Sequence, residues 1–155
     1  MTEMFDAGLD NELETTEELD NAEGLGETPA EKKPKRRPFH IWTVGGTGYK
    51  LKLTTRMIGA LEKKYRTNVM NLVTADGMPP LSVMLTIIQA AASPWHHGFN
   101  YKKAGGCYDS WCTEGGNQME LLSKVIMPTL AVSGFFTQDQ ADSVMKDVED
   151  MDLLL

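Results

Sequence analysis

The chain has 155 residues, of which 41% are hydrophobic, and a formal net charge of −7. This length allows one domain of ordinary size with a real core. No apolar run reaches the roughly 18 residues that a bilayer-spanning helix needs. The first ten residues, MTEMFDAGLD, have neither the basic nor the apolar region of a secretory signal. The sequence therefore predicts a single-domain protein with no membrane partner.

The charges are distributed unevenly along the chain. Residues 1–31 contain eleven acids and no base, whereas residues 32–37, KKPKRR, contain five bases and no acid. The body, 38–138, has nine bases and five acids, which is a net charge of +4, and 139–155 have six acids against one lysine. Phosphate binding requires a concentrated basic face. A mildly basic body between acidic ends therefore predicts no nucleic-acid partner.

Residues 1–37 are predicted to be a disordered acidic tail followed by a basic linker, because so few apolar residues cannot offset the entropy of ordering. Phe5, Leu9 and Leu13 recur at helical spacing, so a short helix that forms on a partner is the alternative. KKPKRR resembles a nuclear-import or nucleic-acid patch. The simpler interpretation, which we favour, is a solvated linker that attracts the acidic tail.

A β-hairpin is predicted at the start of the ordered region, where FHIWTV and YKLKLT flank GGTG. Tyr49, Leu51 and Leu53 alternate with lysines, as in a half-buried strand. A type II′ turn at Gly46-Thr47 would match the preference of that turn for glycine in its first position. The predicted pairs are Val44 with Tyr49, Trp42 with Leu51, and His40 with Leu53.

The remaining elements are predicted to be helices, so that the fold class is mainly α with a small N-terminal β-hairpin (α+β). Capping and periodicity predict helices over roughly 55–66, 68–74, 81–93, 101–112, 118–133 and 138 onwards. Pro128 should kink or split the fifth of these, and Gly134 should close it. Three parts follow: the tail and linker 1–37, a compact hairpin-and-helix domain 38–136, and an acidic amphipathic C-terminal helix 137–155.

The glycine-rich stretch WTVGGTGYK invites a phosphate-binding interpretation, which its context disfavours. A P-loop needs lysine directly after its last glycine and a helix after that, whereas Tyr49 follows Gly48 and a strand pattern comes next. The carboxylates of the body are dispersed, and no G-x-S-x-G nucleophile motif is present. We therefore expect neither a cofactor nor enzymatic activity.

Two histidines and two cysteines, His96, His97, Cys107 and Cys112, could in composition form a tetrahedral zinc site. Zinc histidines are usually separated by three to five residues, whereas these two are adjacent. The cysteines, with four residues between them, keep the idea open. We favour a polar loop for the histidines and core positions for the cysteines, and expect no metal. Two thiols without a secretory signal are typical of a reducing cytoplasm.

The C-terminal helix carries an apolar stripe opposite a largely acidic face. Ten methionines occur in the chain, and methionine is used both in cores and on surfaces that adapt to helical partners. We therefore select this stripe as the candidate contact for a partner or for a second copy of the chain. Its candidate partner-binding residues are Val144, Met145, Val148 and Met151.

Four segments in a fixed order carry a resemblance to a known family: YKLKLTTRMIGALEKKY, DGMPPLSVMLTIIQAA, HHG, and NQMELLSKVIMPTLAVSGFF. Over about 49–136 the chain resembles the tail assembly chaperones of long-tailed, siphovirus-like bacteriophages and prophages. The resemblance is strongest at Tyr49 to Tyr65 and at Ser133-Gly134-Phe135. The long acidic start, FHIWTV and Pro128 depart from the family pattern.

The resemblance implies a mostly helical, non-virion chaperone in the host bacterial cytoplasm. Its implied partner is the tape measure protein, which it binds and solubilises while the tail tube assembles, and the tail tube protein is a further candidate. We also expect a homo-oligomer. The rival functions are a structural tail or head-completion subunit that stays in the virion, and a small regulatory nucleic-acid-binding protein that uses KKPKRR.

Overall fold

The computed structural model describes the backbone of residues 37–154 and the side chains of residues 37–147. The predicted disorder and the predicted short helix of the N-terminal tail lie outside the described residues. The fold is mainly helical with one antiparallel hairpin, as the sequence predicts. In chain order the elements are β1 (His40–Val44), β2 (Thr47–Leu51), α1 (Thr55–Tyr65), α2 (Val69–Thr74), α3 (Leu81–Ala92), α4 (Tyr101–Thr113), α5 (Gln118–Glu120), a π-helical segment (Leu121–Ile126), α6 (Met127–Val132) and α7 (Gln138–Leu154).

The hairpin turn consists of Gly45 and Gly46, so the prediction of a turn at Gly46-Thr47 is wrong. Both glycines have positive φ, 58° and 83° respectively. Positive φ at both central residues defines a type I′ turn, whose twist matches that of the flanking strands. Thr47 instead begins β2, where its β-branched side chain is well accommodated.

The strand register is consequently two residues away from the predicted one. Trp42 pairs with Tyr49 and not with Leu51. A shift of two residues preserves the face to which each side chain points, because the period of a strand is two. The apolar face was therefore predicted correctly although its pairs were not. The observed pairs include Val44 with Thr47, Trp42 with Tyr49, and His40 with Leu51.

The inner face of the hairpin packs on the helical body. Trp42, Val44 and Leu51 are buried there. The Trp42 ring lies edge-on to that of Trp111 in α4, with 5.8 Å between the centroids. The outer edge of β2 is held by α3, since the N–H of Lys52 donates to the Ala91 carbonyl at 3.1 Å.

Helices α1 and α2 each begin at a side-chain cap. The Thr54 hydroxyl accepts from the N–H of Met57, and the Asn68 side chain accepts from the N–H of Asn71. Each bond satisfies an otherwise unpaired amide of a first helical turn. Between the two helices the chain reverses through Arg66, which adopts the left-handed conformation with φ 59°.

Helix α3 forms the centre of the domain. Every residue from 83 to 92 is buried, and the helix contacts β2, α1, α4 and the π-helical segment. An uninterrupted buried run of this length is what a helix surrounded by other elements requires. Pro94 follows two residues after its end and cannot continue it.

Pro128 neither ends nor splits the helical path, which continues through α5, the π-helical segment and α6. A proline in a helix leaves the carbonyl four residues earlier without its amide donor. Here that carbonyl belongs to Lys124, and the His40 Nε2 donates to it at 2.9 Å. The helix widens locally into a π-helix, which accommodates the proline without ending the helix. The His40 side chain from β1 supplies the donor that Pro128 lacks.

Candidate functional site

Helix α7 begins with a complete capping box, which Thr137 forms with Gln140. The N–H of Gln140 donates to the Thr137 hydroxyl at 3.1 Å, and the N–H of Thr137 donates to the Gln140 side-chain oxygen at 3.0 Å. Gly134, with φ 96°, closes the preceding helix, and the N–H of Phe135 returns to the Leu130 carbonyl. These bonds fix the direction in which α7 leaves α6.

The first half of the predicted apolar stripe packs inside the molecule. Met145 is 8% exposed and forms a small cluster with Ala131 and Ala141, against which Phe136 and Val144 are partly buried. Val144 and Met145 are thus the two candidate residues whose packing is described. The side chains of Val148 and Met151 lie outside the described residues, although the backbone of α7 stays helical to Leu154.

The seam between α6 and α7 leaves little space for another molecule. A crevice of about 20 Å³, lined in part by Arg37, Gln138 and Met145, is what remains there. Such a volume holds on the order of one water molecule. Asp142, at the edge of this crevice, and the neighbouring Ser143, Lys146 and Asp147 are exposed. The docked half of α7 is therefore an anchor within the domain.

A much larger cleft, of about 530 Å³, lies between the hairpin and α4. We call it the hairpin cleft. Val44, Gly45 and Tyr49 line it from the hairpin, and Lys102, Lys103 and Gly106 line it from α4 and its first turn. The cleft has the size of ordinary ligand sites, and its α4 wall is cationic.

Three side chains around the cleft, Lys103, Asn100 and Glu114, make defined contacts with the hairpin or within α4. The Lys103 ammonium lies 5.8 Å from the centre of the Tyr49 ring. Asn100, which also lines the cleft, caps α4 through the N–H of Lys103. The carboxylate of Glu114 accepts from the N–H of Gly45 at 2.7 Å and so ties the hairpin turn to the end of α4.

An aromatic cluster supports the hairpin side of the cleft. The Tyr49 ring lies edge-on to those of His96 and Phe99, at 5.4 Å and 5.6 Å between centroids. His96 Nε2 accepts from the N–H of Lys50 at 2.8 Å, so the ring is neutral in this arrangement. Burial, and next the charge of Lys50, lower the pKa of His96 below 6.5.

The histidines and cysteines considered for zinc occupy separate environments. His96 belongs to the aromatic cluster and His97 is exposed. Cys107 is buried and Cys112 is half-buried. Within the part of the chain that the structure describes, no three histidine, cysteine or acidic side chains are grouped so that they could hold a metal.

Sequence reasoning did not find the hairpin cleft. Lys102 and Lys103 are an unremarkable pair in the sequence, and Gly105 and Gly106 predict only a weakened helix. Their role depends on the hairpin folding back over α4, which is a long-range contact without a local pattern. The sequence feature that could have indicated the cleft is a pair of glycines next to a pair of lysines within one predicted helix.

Comparison with known proteins found no matching family model, no matching curated protein and no matching solved structure. A separate test of the described residues shows that none of their helices has the length and apolar character required to cross a bilayer.

Proposed function

We propose that this chain is a tail assembly chaperone of a long-tailed bacteriophage, which acts in the host cytoplasm and is absent from the mature virion. In this proposal it binds and solubilises the tape measure protein and promotes assembly of the tail tube. The ordered resemblance over 49–136 supports the family. The helical domain is of the kind that the resemblance implies.

The observation that carries the proposal is the amphipathic helix α7, which is docked on α6 near its start. Ala141 and Met145 anchor its first half on Ala131, while the helix of 17 residues continues to Leu154. At 1.5 Å per residue such a helix is about 25 Å long. The apolar sequence stripe continues through Val148 and Met151, at the spacing with which amphipathic helices engage helical partners.

The composition of α7 suits a client that is long, helical and prone to aggregate. Methionine adapts its shape to varied apolar surfaces. The six acids of 139–155 would keep a chaperone–client complex charged and therefore soluble. A second copy of the chain could bind the same stripe, and this contact would give the homo-oligomer that we expect from the sequence.

Co-expression of the tagged chain with the tape measure protein of the same phage tests the proposal. Replacing both Val148 and Met151 by serine should reduce the amount of captured tape measure protein at least about tenfold, because two apolar contacts are lost. The matched control, Ser143→Ala with Lys146→Ala, changes two exposed residues of the same helix and should leave capture unchanged. Equal capture by both variants, with unaltered circular dichroism, would contradict the role of the stripe.

Mass spectrometry of purified virions distinguishes the proposal from a structural role. A chaperone should be absent from the particles and present in the lysate. Detection in virions at the copy number of a tail or head-completion subunit would replace the proposed function with the structural one.

A further inference from the structure

We propose that the hairpin cleft binds the chain's own acidic segment, residues 1–31. This inference does not depend on the proposed function, since the hairpin cleft contains no residue of α7. Four observations support it: the cationic wall of the cleft, the glycine in that wall, the charge of the segment, and the length of the segment.

The wall formed by α4 is chemically suited to carboxylates. Lys102 and Lys103 line the cleft, and none of its lining residues is acidic. Both lysines are exposed, and they lie in the first turn of α4, where the helix dipole adds positive potential. The nearby acid Glu114 accepts from the Gly45 amide at the opposite end of α4 from the two lysines. The charged residues that line the cleft are both lysines, so the N-terminal part of its α4 wall is positive.

Gly106 makes room in this wall without serving the packing of the domain. A glycine in a helix interior costs about 1 kcal/mol relative to alanine. A Cβ placed on Gly105 or Gly106 would meet nothing within 4 Å, so close packing inside the chain does not require either residue. Since Gly106 lines the cleft, the missing side chain leaves the backbone of α4 open to an approaching segment.

The acidic segment matches the cleft in charge. It carries eleven acids and no base, and two lysines can each pair with carboxylates from any part of it. A tethered segment competes at an effective concentration in the millimolar range for short flexible links. Its own cleft is therefore occupied before acidic segments of other copies at micromolar concentration can bind.

The segment is long enough to reach the cleft from the place where the chain enters the fold. That place is the open end of the hairpin, where Phe39 lies 4.9 Å from Trp95 between ring centroids and Arg37 lines the α6–α7 crevice. Glu14 lies 23 residues before Arg37, and a chain of that length can extend up to about 76 Å. Acids well before the basic linker can therefore reach the α4 lysines.

Carbodiimide crosslinking of the full chain tests the proposal, because the reagent joins a lysine amine to a carboxylate with which it is in contact. Peptide mass spectrometry should find crosslinks from Lys102 and from Lys103 to acids of 1–31 at least about fivefold more often than from Lys63, an exposed lysine of α1. The excess should disappear in 0.5 M salt, where the Debye length falls to about 4 Å. Equal yields from Lys63 and from the cleft lysines would overturn the proposal.

Two further arms exclude the competing arrangements. Crosslinks of 1–31 confined to Lys32, Lys33 and Lys35 would assign the segment to the basic linker and reject the cleft. In an equal mixture of ¹⁴N-labelled and ¹⁵N-labelled chains the crosslinked peptides should carry one isotope, whereas mixed pairs would show binding between copies and would also overturn the proposal.

A protease assay measures the same contact without crosslinking. Replacing Lys102 and Lys103 by glutamine should increase the initial rate of glutamyl-endopeptidase cleavage within 1–31 about fivefold at low salt. Lys63→Gln with Lys64→Gln is the control and should leave the rate unchanged. Two glycine variants test the shape of the cleft. Gly106→Ala narrows it and should increase cleavage, whereas Gly105→Ala, outside its lining, should leave cleavage unchanged. Unchanged cleavage in the lysine variant would contradict docking in the cleft.

Discussion

At the scale of single residues, His96 makes the stability of the domain depend on pH. Its Nε2 accepts the Lys50 amide at 2.8 Å, and burial followed by the charge of Lys50 lowers its pKa below 6.5. The unfolded chain therefore binds a proton at a higher pH than the folded chain does. The stabilising contribution is complete above about pH 6.5 and is lost as the pH falls towards the lowered pKa.

Substitution of His96 should remove this dependence. Glutamine can accept the same amide but does not titrate, so His96→Gln should flatten the profile of Tm between pH 7.5 and 5.5. The exposed neighbour provides the control, and His97→Gln should keep the wild-type decline, which is on the order of 1 °C. Identical slopes in wild type and both variants would show that another group controls the decline.

At the scale of elements, the bond between β1 and the π-helical segment explains how the fold tolerates Pro128. The His40 Nε2 donates to the Lys124 carbonyl, the acceptor to which residue 128 would donate if it were not proline.

His40→Leu should therefore lower the free energy of unfolding by about 1–3 kcal/mol. In a Pro128→Ala background the new amide can reach that carbonyl, so the same substitution should cost about 1 kcal/mol less. Urea unfolding of the four chains measures this coupling, and additive effects would refute it.

The same region shows how far local patterns predict this structure. The caps at Thr54 and Thr137 can be predicted from sequence because each bond is made within three residues. The register of the hairpin does not, because GGTG allows two turns and the choice depends on pairing along both strands. The His40 bond and the hairpin cleft depend on contacts 84 and about 60 residues apart in sequence, for which the chain carries no local signal. Val144 and Met145 were selected from sequence as candidate partner-binding residues, and the structure adds that Met145 is buried and Val144 half-buried in the small cluster with Ala131.

At the scale of the whole molecule, the apolar interior divides into a main core and a smaller cluster under α7. The main core joins the hairpin to the helices through α3, whereas Ala131, Ala141 and Met145 form the smaller cluster.

Met145→Asp should therefore release α7 alone, because burying an unpaired charge costs more free energy than so small a contact contributes. Hydrogen exchange should accelerate at least about tenfold over 138–147 and stay unchanged in α3. Met145→Leu, which nearly conserves volume, should retain protection in both. Loss of protection in α3 as well would mean that α7 and the main core unfold as one unit.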